Sequence, residues 1–412
     1  MVYKKKIFPI LAGNFFELYD FSLYGLFSIL FSNLFFKDCE HNLTISFFVF
    51  FCGFLARPIG SIIFGYIGDI YGRKKSILLS TTLMAFSSFL IPFIPIDATL
   101  PWLKVLFVTM FILCRVLQGL SMGGETGGAI VLLYELGSLE NKNLYISFLY
   151  ISGALGSLAA IFVSYISLKY FSPDAAWRIA YFINIVFIFF LFYMRRTISE
   201  STFFLKQQHV RKSVRKRNIF EILENMPRNI CSIMLGGFMG AISCNLFVNV
   251  NIYLITIKGI EYKISILYVS EMIFFYIVFV YFFSKISRYF DNYKIIMLSL
   301  IFTFLTSYWA YFLLYNSYYI CSFLLFSITA ASFNPIFNSY IYKYFPLNWK
   351  YTGMALSCSI GVSLFGGTFP LIFSSLIHLT NNKIFPAIYL MVLSVLTALC
   401  TKKLKKLHHL SL

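Results

Sequence analysis

The feature that most constrains this chain is a recurrence. A run of about 20 apolar residues with almost no charge is followed by a short polar break, and the pattern repeats from one end to the other. A segment of that length and composition crosses a bilayer as one helix, because helices satisfy every backbone group internally. The runs are continuously apolar, not alternating, which excludes a membrane β-barrel. Twelve runs are found, near 8–36, 44–68, 76–95, 104–135, 144–170, 177–194, 230–257, 264–284, 294–314, 318–342, 351–378 and 384–401. The reading is an all-α membrane protein with twelve transmembrane helices.

Charge placement orients these helices. Only 12% of residues are charged, about half the share in a soluble domain, yet the formal net charge is +18. In a soluble protein that excess would point to nucleic acid. Here the cations gather in alternate connections: Lys4–Lys6, Arg73–Lys75, Arg195–Arg228, Lys285/Arg288/Lys294, Lys343/Lys350 and Lys402–Lys406. Positive connections mark the cytoplasmic side, so both termini are expected there, in a multi-pass inner membrane protein. Membrane lipid is the expected partner, with no nucleic acid, and the chain is read as a monomer. The run after Lys4–Lys6 is too long for a cleavable signal, so the first helix is expected to remain. Eight cysteines without a CxxC pair, most of them inside apolar runs, and five scattered histidines give no metal or cofactor site.

One internal connection is long. It carries Arg211–Arg217, followed by Ile219, Phe220, Ile222 and Leu223, and reads as a basic linker with a short amphipathic surface helix. It divides the chain into a six-helix bundle over 1–194, a linker over 195–229 and a second six-helix bundle over 230–412. Such a 6+6 division suggests a transporter with its site between the halves near the membrane midplane, working by alternating access.

Ionisable residues inside spans are expensive, which makes each one a functional candidate. Glu17 and Asp20 lie about 15 and 20 Å into the first span, and Arg115 about 15 Å into the fourth from the opposite side. An acid and an arginine at one depth can neutralise each other. That pair either joins two helices permanently or couples proton uptake to transport. Arg57, beside Pro58 in the second span, pairs with Glu17 or binds a substrate carboxylate; Pro58 removes a helix hydrogen bond and frees a carbonyl. Gln118 and Glu125 share the fourth span with Arg115, and Gly119, Gly123 and Gly127 give it a small face for close helix contact. The second half offers Asn245, Asn249, Asn334 and Asn338, as cavity lining or as interhelical hydrogen bonds. Tyr253 and Trp309 are aromatic candidates for a quaternary ammonium ligand. No nucleophile–His or metal cluster appears among the spans, so an enzyme is not expected.

Several stretches together resemble a known family. Gly65-x-x-x-Asp69-x-x-Gly72-Arg73-Lys74 is similar to the loop 2–3 signature of the major facilitator superfamily. Gly13-Asn14-x-x-Glu17-x-Tyr19-Asp20-Phe21-x-x-Tyr24-Gly25, Arg115-x-x-Gln118-Gly119-x-x-x-Gly123-Gly124-Glu125 and Leu364-Phe365-Gly366-Gly367-Thr368-x-Pro370 resemble its metabolite:proton symporter branch. The resemblance implies a proton-coupled symporter that needs no cofactor beyond the proton gradient and imports a small carboxylate-bearing metabolite. Proline or betaine is the first expectation, and dicarboxylates or tricarboxylates such as 2-oxoglutarate and citrate the second. Asp20 and Glu17 are expected to take the proton, Arg115 and Arg57 to pair with them or with substrate. Asp69, Arg73 and Glu125 are expected to form the cytoplasmic gate. The second-half copy of the loop signature is degenerate, with Phe290-Asp291 in place of Gly-Arg, which leaves a transporter-like sensor or scaffold as the alternative of another class.

Overall fold

The computed structural model describes residues 2–36, 41–96, 100–136, 142–195, 200, 226–345 and 350–409. The linker residues Arg211–Leu223, expected to form an amphipathic surface helix, lie outside that set. Six helices make the first half: α1 (Val2–Phe35), α2 (Asn42–Ile70), α3 (Arg73–Leu90), α4 (Pro101–Leu136), α5 (Lys142–Tyr170) and α6 (Pro173–Arg195). In the second half, α7 (Met226–Cys244) and α8 (Val250–Thr256) form one span through the π-helical residues Asn245–Asn249. Then follow α9 (Tyr262–Ile286), α10 (Asn292–Tyr315) and α11 (Tyr319–Ile341). The eleventh span is α12 (Lys350–Gly361), a π-helical stretch Val362–Gly367 and α13 (Phe369–Thr380), and α14 (Pro386–His409) closes the chain.

Twelve stretches among the described residues are long and apolar enough to cross a membrane, within a few residues of the sequence reading. The largest difference is at the end. There α14 continues through Lys402–Lys406, because lysine is a good helix former and its stem extends an apolar surface past the hydrocarbon. The outer surface carries large apolar side chains such as Phe162, Phe189, Leu298 and Trp309, as a lipid-facing wall requires. Trp309 is more than half exposed on that wall and Tyr253 is fully buried, so neither is available as the ligand-binding aromatic expected from sequence.

Within the first half, α1 packs on α5 and α6, and α4 on α2 and α3; in the second half, α11 packs on α9 and α10, and α7 on α12 and α14. The halves meet where α2 and α4 face α12, and where α5 faces α9 and α11. The glycines of α4 explain the closest of these crossings. A side chain at Gly119 would strike the backbone of Gly53, and one at Gly123 the backbone of Arg57. These two glycines let α2 and α4 touch along their backbones, while Gly127, one turn on, lies against Ala355 of α12 in the other half.

Candidate functional site

A cavity of about 150 Å³ lies between the halves, bordered by α1, α2, α4, α5, α7 and α9. Its wall is mostly aromatic and apolar, with Phe21, Phe50, Phe54, Phe247, Met122 and Met239. Polar atoms enter from Asn14, Ser22, Thr126, Tyr150, Ser243 and Tyr276. Among the described lining residues Arg57 is the one charged group. Its guanidinium lies 4.1 Å from the Phe54 ring centre and 4.7 Å from that of Phe21, and Nη2 donates to the Met122 sulfur at 3.1 Å. Among the described residues no carboxylate lies within ion-pair distance of it; Glu17, one of the two partners open to it from sequence, acts on it electrostatically from further away. Glu17 is fully buried behind the wall, where its Oε1 accepts from Thr126 at 3.2 Å. A second space of about 50 Å³ shares Arg57, Met122 and Thr126 and runs between α4 and α12, past Asn338 and Ser359.

Pro58 positions Arg57 through the chain's own chemistry. Proline cannot donate to the carbonyl four residues back, which is that of Phe54. The hydroxyl of Ser363, in the π-helical stretch of the eleventh span, donates to this freed carbonyl at 2.5 Å. The freed carbonyl therefore ties α2 to the other half.

Asp20 and Arg115 are both buried and act on each other electrostatically, but among the described residues no direct ion pair joins them. Gln118 stands between them. Arg115 Nη1 donates to Gln118 Oε1 at 2.5 Å, and Gln118 Nε2 donates to Asp20 Oδ2 at 2.5 Å and to Ser88 Oγ at 2.9 Å. Asn184 of α6 donates to the other carboxylate oxygen, and the Arg115 guanidinium lies 4.1 Å from the Tyr24 ring centre. Among the described residues, Nε and Nη2 of Arg115 have no hydrogen-bond partner. The relay crosses α1, α3, α4 and α6 and lies outside the cavity wall. Among the described lining residues it reaches the cavity through α1 and α4, which carry Asn14, Phe21, Met122 and Thr126.

At the end of the bundle that holds the α2–α3 connection, the halves are closed on each other. Asp69 Oδ2 accepts from the backbone N–H of Thr352 at 3.1 Å and from its hydroxyl at 2.8 Å, in the first turn of α12. An anion at a helix N-terminus is favoured by the unpaired N–H groups there. Asp69 Oδ1 is 3.7 Å from Arg73 Nη1, and Arg73 Nη2 is 3.2 Å from Glu135 Oε1 at the end of α4. Thus Asp69 crosses to the other half, whereas these Arg73 contacts hold the first half together. Gly72 has φ 107°, a backbone region that side chains disfavour; it turns the chain so that the N–H groups of Arg73 and Lys74 meet Glu200 at 3.1 and 3.2 Å. Tyr351 adds a second crossing, its hydroxyl donating to the Gly124 carbonyl at 2.6 Å. Glu125, the next residue, is buried in the same layer.

In the second half, Asn334 Nδ2 donates to Ser243 at 3.0 Å and to Tyr276 at 3.3 Å, which orients two cavity groups from behind. Asn338 donates to the Tyr150 hydroxyl at 2.5 Å and lines the smaller space. Asn245 accepts from Tyr311 at 2.5 Å, and Asn249 is fully buried in the π-helical turn; neither is among the lining residues of the cavity. The sequence reading missed Gln118's bridging position, Asn184 and Ser88, the two Thr352 donors, and Glu135. An acid at the end of the fourth span was the available signal for Glu135.

The Major Facilitator Superfamily family model matches residues 10–370. A citrate-proton symporter of Salmonella typhi is 28% identical over 404 residues, covering 93% of this chain and 90% of the relative. A putative proline/betaine transporter of Staphylococcus haemolyticus is 28% identical over 408 residues, covering 95% and 86%. Among solved structures, the proton:xylose symporter XylE superposes with a TM-score of 0.81 at 15% identity, covering 96% of this chain and 94% of that one.

Proposed function

The chain belongs to the major facilitator superfamily, a family of transporters, and from that premise we propose that it imports a small monocarboxylate together with a proton. The observation that carries this reading is Arg57: one cation, with no carboxylate within ion-pair distance among the described residues, in a small aromatic cavity between the halves. A carboxylate meeting it gains a charge-assisted hydrogen bond in a site largely shielded from water. The Phe21 and Phe54 rings hold the guanidinium in place, and Tyr150, Tyr276 and Ser243 offer hydroxyls to the rest of the substrate. A single cation and a cavity of about 150 Å³ favour a molecule with one carboxylate, such as proline or glycine betaine. The similarity to a citrate-proton symporter over nearly the whole chain supports a second reading, a dicarboxylate or tricarboxylate.

Asp20 takes the proton. While ionised it accepts from Gln118 and Asn184, and Gln118 in turn holds Arg115. A protonated Asp20 no longer offers a full carboxylate to Gln118, so the contact between α1 and α4 loosens. Both helices border the cavity, and proton state is thereby felt at the substrate. Glu17 acts on the same wall through Thr126. The end closed by Asp69–Thr352 is cytoplasmic, as the positive connections predict. Asp69, with Arg73 and Glu125 behind it, is the gate between the two six-helix bundles 1–194 and 230–412.

The test is uptake into proteoliposomes under an inward proton gradient, with labelled proline, glycine betaine, citrate and 2-oxoglutarate supplied separately. Gradient-driven uptake of proline or betaine, weakened by Arg57→Met, supports the first reading. Uptake of citrate or 2-oxoglutarate alone selects the second. A folded protein that accumulates none of them refutes both and favours a sensor built on a transporter fold.

A further inference from the structure

Cys231 and Cys400 belong to neither the cavity nor the closed end. Cys231 lies on α7 and is 1% exposed; Cys400 lies on α14 and is partly exposed. The two helices pack side by side, and successive spans run in alternate directions, so they are antiparallel. Their register is shown by the Thr397 hydroxyl, which donates to Leu393 O of its own helix at 2.7 Å and lies 3.5 Å from the Met234 carbonyl of α7. Three residues further along α14 and three residues back along α7, one turn away on both, the register brings the two thiols face to face. The next turn of α14 holds the exposed Lys402 and Lys403, where the helix leaves the apolar layer, so a water-borne reagent can reach Cys400.

We propose that Cys231 and Cys400 are a disulfide-forming pair that staples α7 to α14. The oxidant is a small-molecule disulfide. The Cys400 thiol gives up its proton and attacks one sulfur of the reagent, expelling the first thiol and leaving a mixed disulfide. The Cys231 thiol then attacks the Cys400 sulfur, expelling the second thiol, which leaves one protein disulfide and two reduced reagent thiols. The structural consequence follows from what the two helices do. The α7 helix supplies Met239, Gly240, Ser243 and Cys244 to the cavity wall, whereas α14 supplies none of the described lining residues. A staple between them holds a cavity helix to a peripheral one and resists any opening in which α7 shifts against α14.

The experiment uses the full chain in proteoliposomes, titrated with glutathione disulfide and digested without reduction. Peptide mass spectrometry is expected to find Cys231 joined to Cys400, at reagent levels that leave the exposed Cys321 as a mixed disulfide. Alkylation of the cavity cysteine Cys244 by N-ethylmaleimide is then expected to slow about tenfold and to recover with dithiothreitol, as the stapled conformer dominates. Cys400→Ser is expected to abolish both the link and the slowing. No Cys231–Cys400 peptide once Cys321 is fully modified would overturn the pairing. A complete link with unchanged Cys244 alkylation would overturn its effect on α7. The first readout needs no variant, and neither depends on the identity of a substrate.

Discussion

The interiors of the two halves are built from different chemistry. In the first half, an acid, an amide and an arginine are buried in series, with Asn184 and Ser88 completing the shell around Asp20 and Gln118. In the second, the corresponding interior is neutral: Asn245 with Tyr311, and Asn334 with Ser243 and Tyr276. Neutral interhelical hydrogen bonds in a membrane are worth about 1 kcal/mol each and change little with pH. A buried charge relay costs far more to build, and removing one member strands the others, at about 3–5 kcal/mol. The difference teaches where a proton can matter. Among the described interior groups named above, the acid in the first half is the one whose charge a proton can change, so the neutral second-half layer serves as the wall against which that change would be read.

Breaking the relay has the largest expected effect. Arg115→Leu leaves the buried Asp20 and Gln118 without their cation, and is expected to lower stability by about 3–5 kcal/mol, measured as a fall in the thermal midpoint in detergent. Arg57→Met comes next. Losing a charge-assisted hydrogen bond of about 1.5–3 kcal/mol raises the KM for a carboxylate substrate roughly tenfold to a hundredfold, with little effect on folding. Asp69→Asn is third, since an amide oxygen accepts from Thr352 more weakly than a carboxylate. Turnover is expected to fall while substrate affinity, measured by equilibrium binding, stays within about twofold. A large loss of affinity with normal turnover would move Asp69 into the binding site. The smallest effect belongs to the second half. Tyr311→Phe removes one neutral hydrogen bond, costs about 1 kcal/mol, and is expected to leave the pH profile of uptake unchanged. A shifted profile would erase the contrast between the halves.

Much of this was legible in the sequence because the bilayer imposes strict rules. Apolar run length gave the twelve spans, and the rarity of charge inside them singled out Glu17, Asp20, Arg57 and Arg115. The consequence of Pro58 was also readable, since a missing N–H must leave a carbonyl to be used elsewhere, but its user, Ser363, was not. Partners across helices depend on rotation and tilt, which residue depth does not encode. Asp20 and Arg115 could therefore be placed at one level without revealing that Gln118 separates them. For the same reason Asn245 and Asn334, both polar residues in second-half spans, could not be told apart: one faces Tyr311 in the bundle core, the other supports the cavity. Thr352 was hidden for another reason. A helix N-terminus attracts an acid through its backbone, so the side chain at that position gives little warning.

The central claim is that Asp20 carries the proton. The most direct check is the movement of protons itself, recorded with a pH electrode outside proteoliposomes when a transported substrate is added without an imposed gradient. The unmodified protein is expected to make the medium more alkaline as protons enter with substrate. Asp20→Asn is expected to exchange labelled for unlabelled substrate yet give no alkaline shift. An alkaline shift of normal size from a folded Asp20→Asn protein would contradict the account.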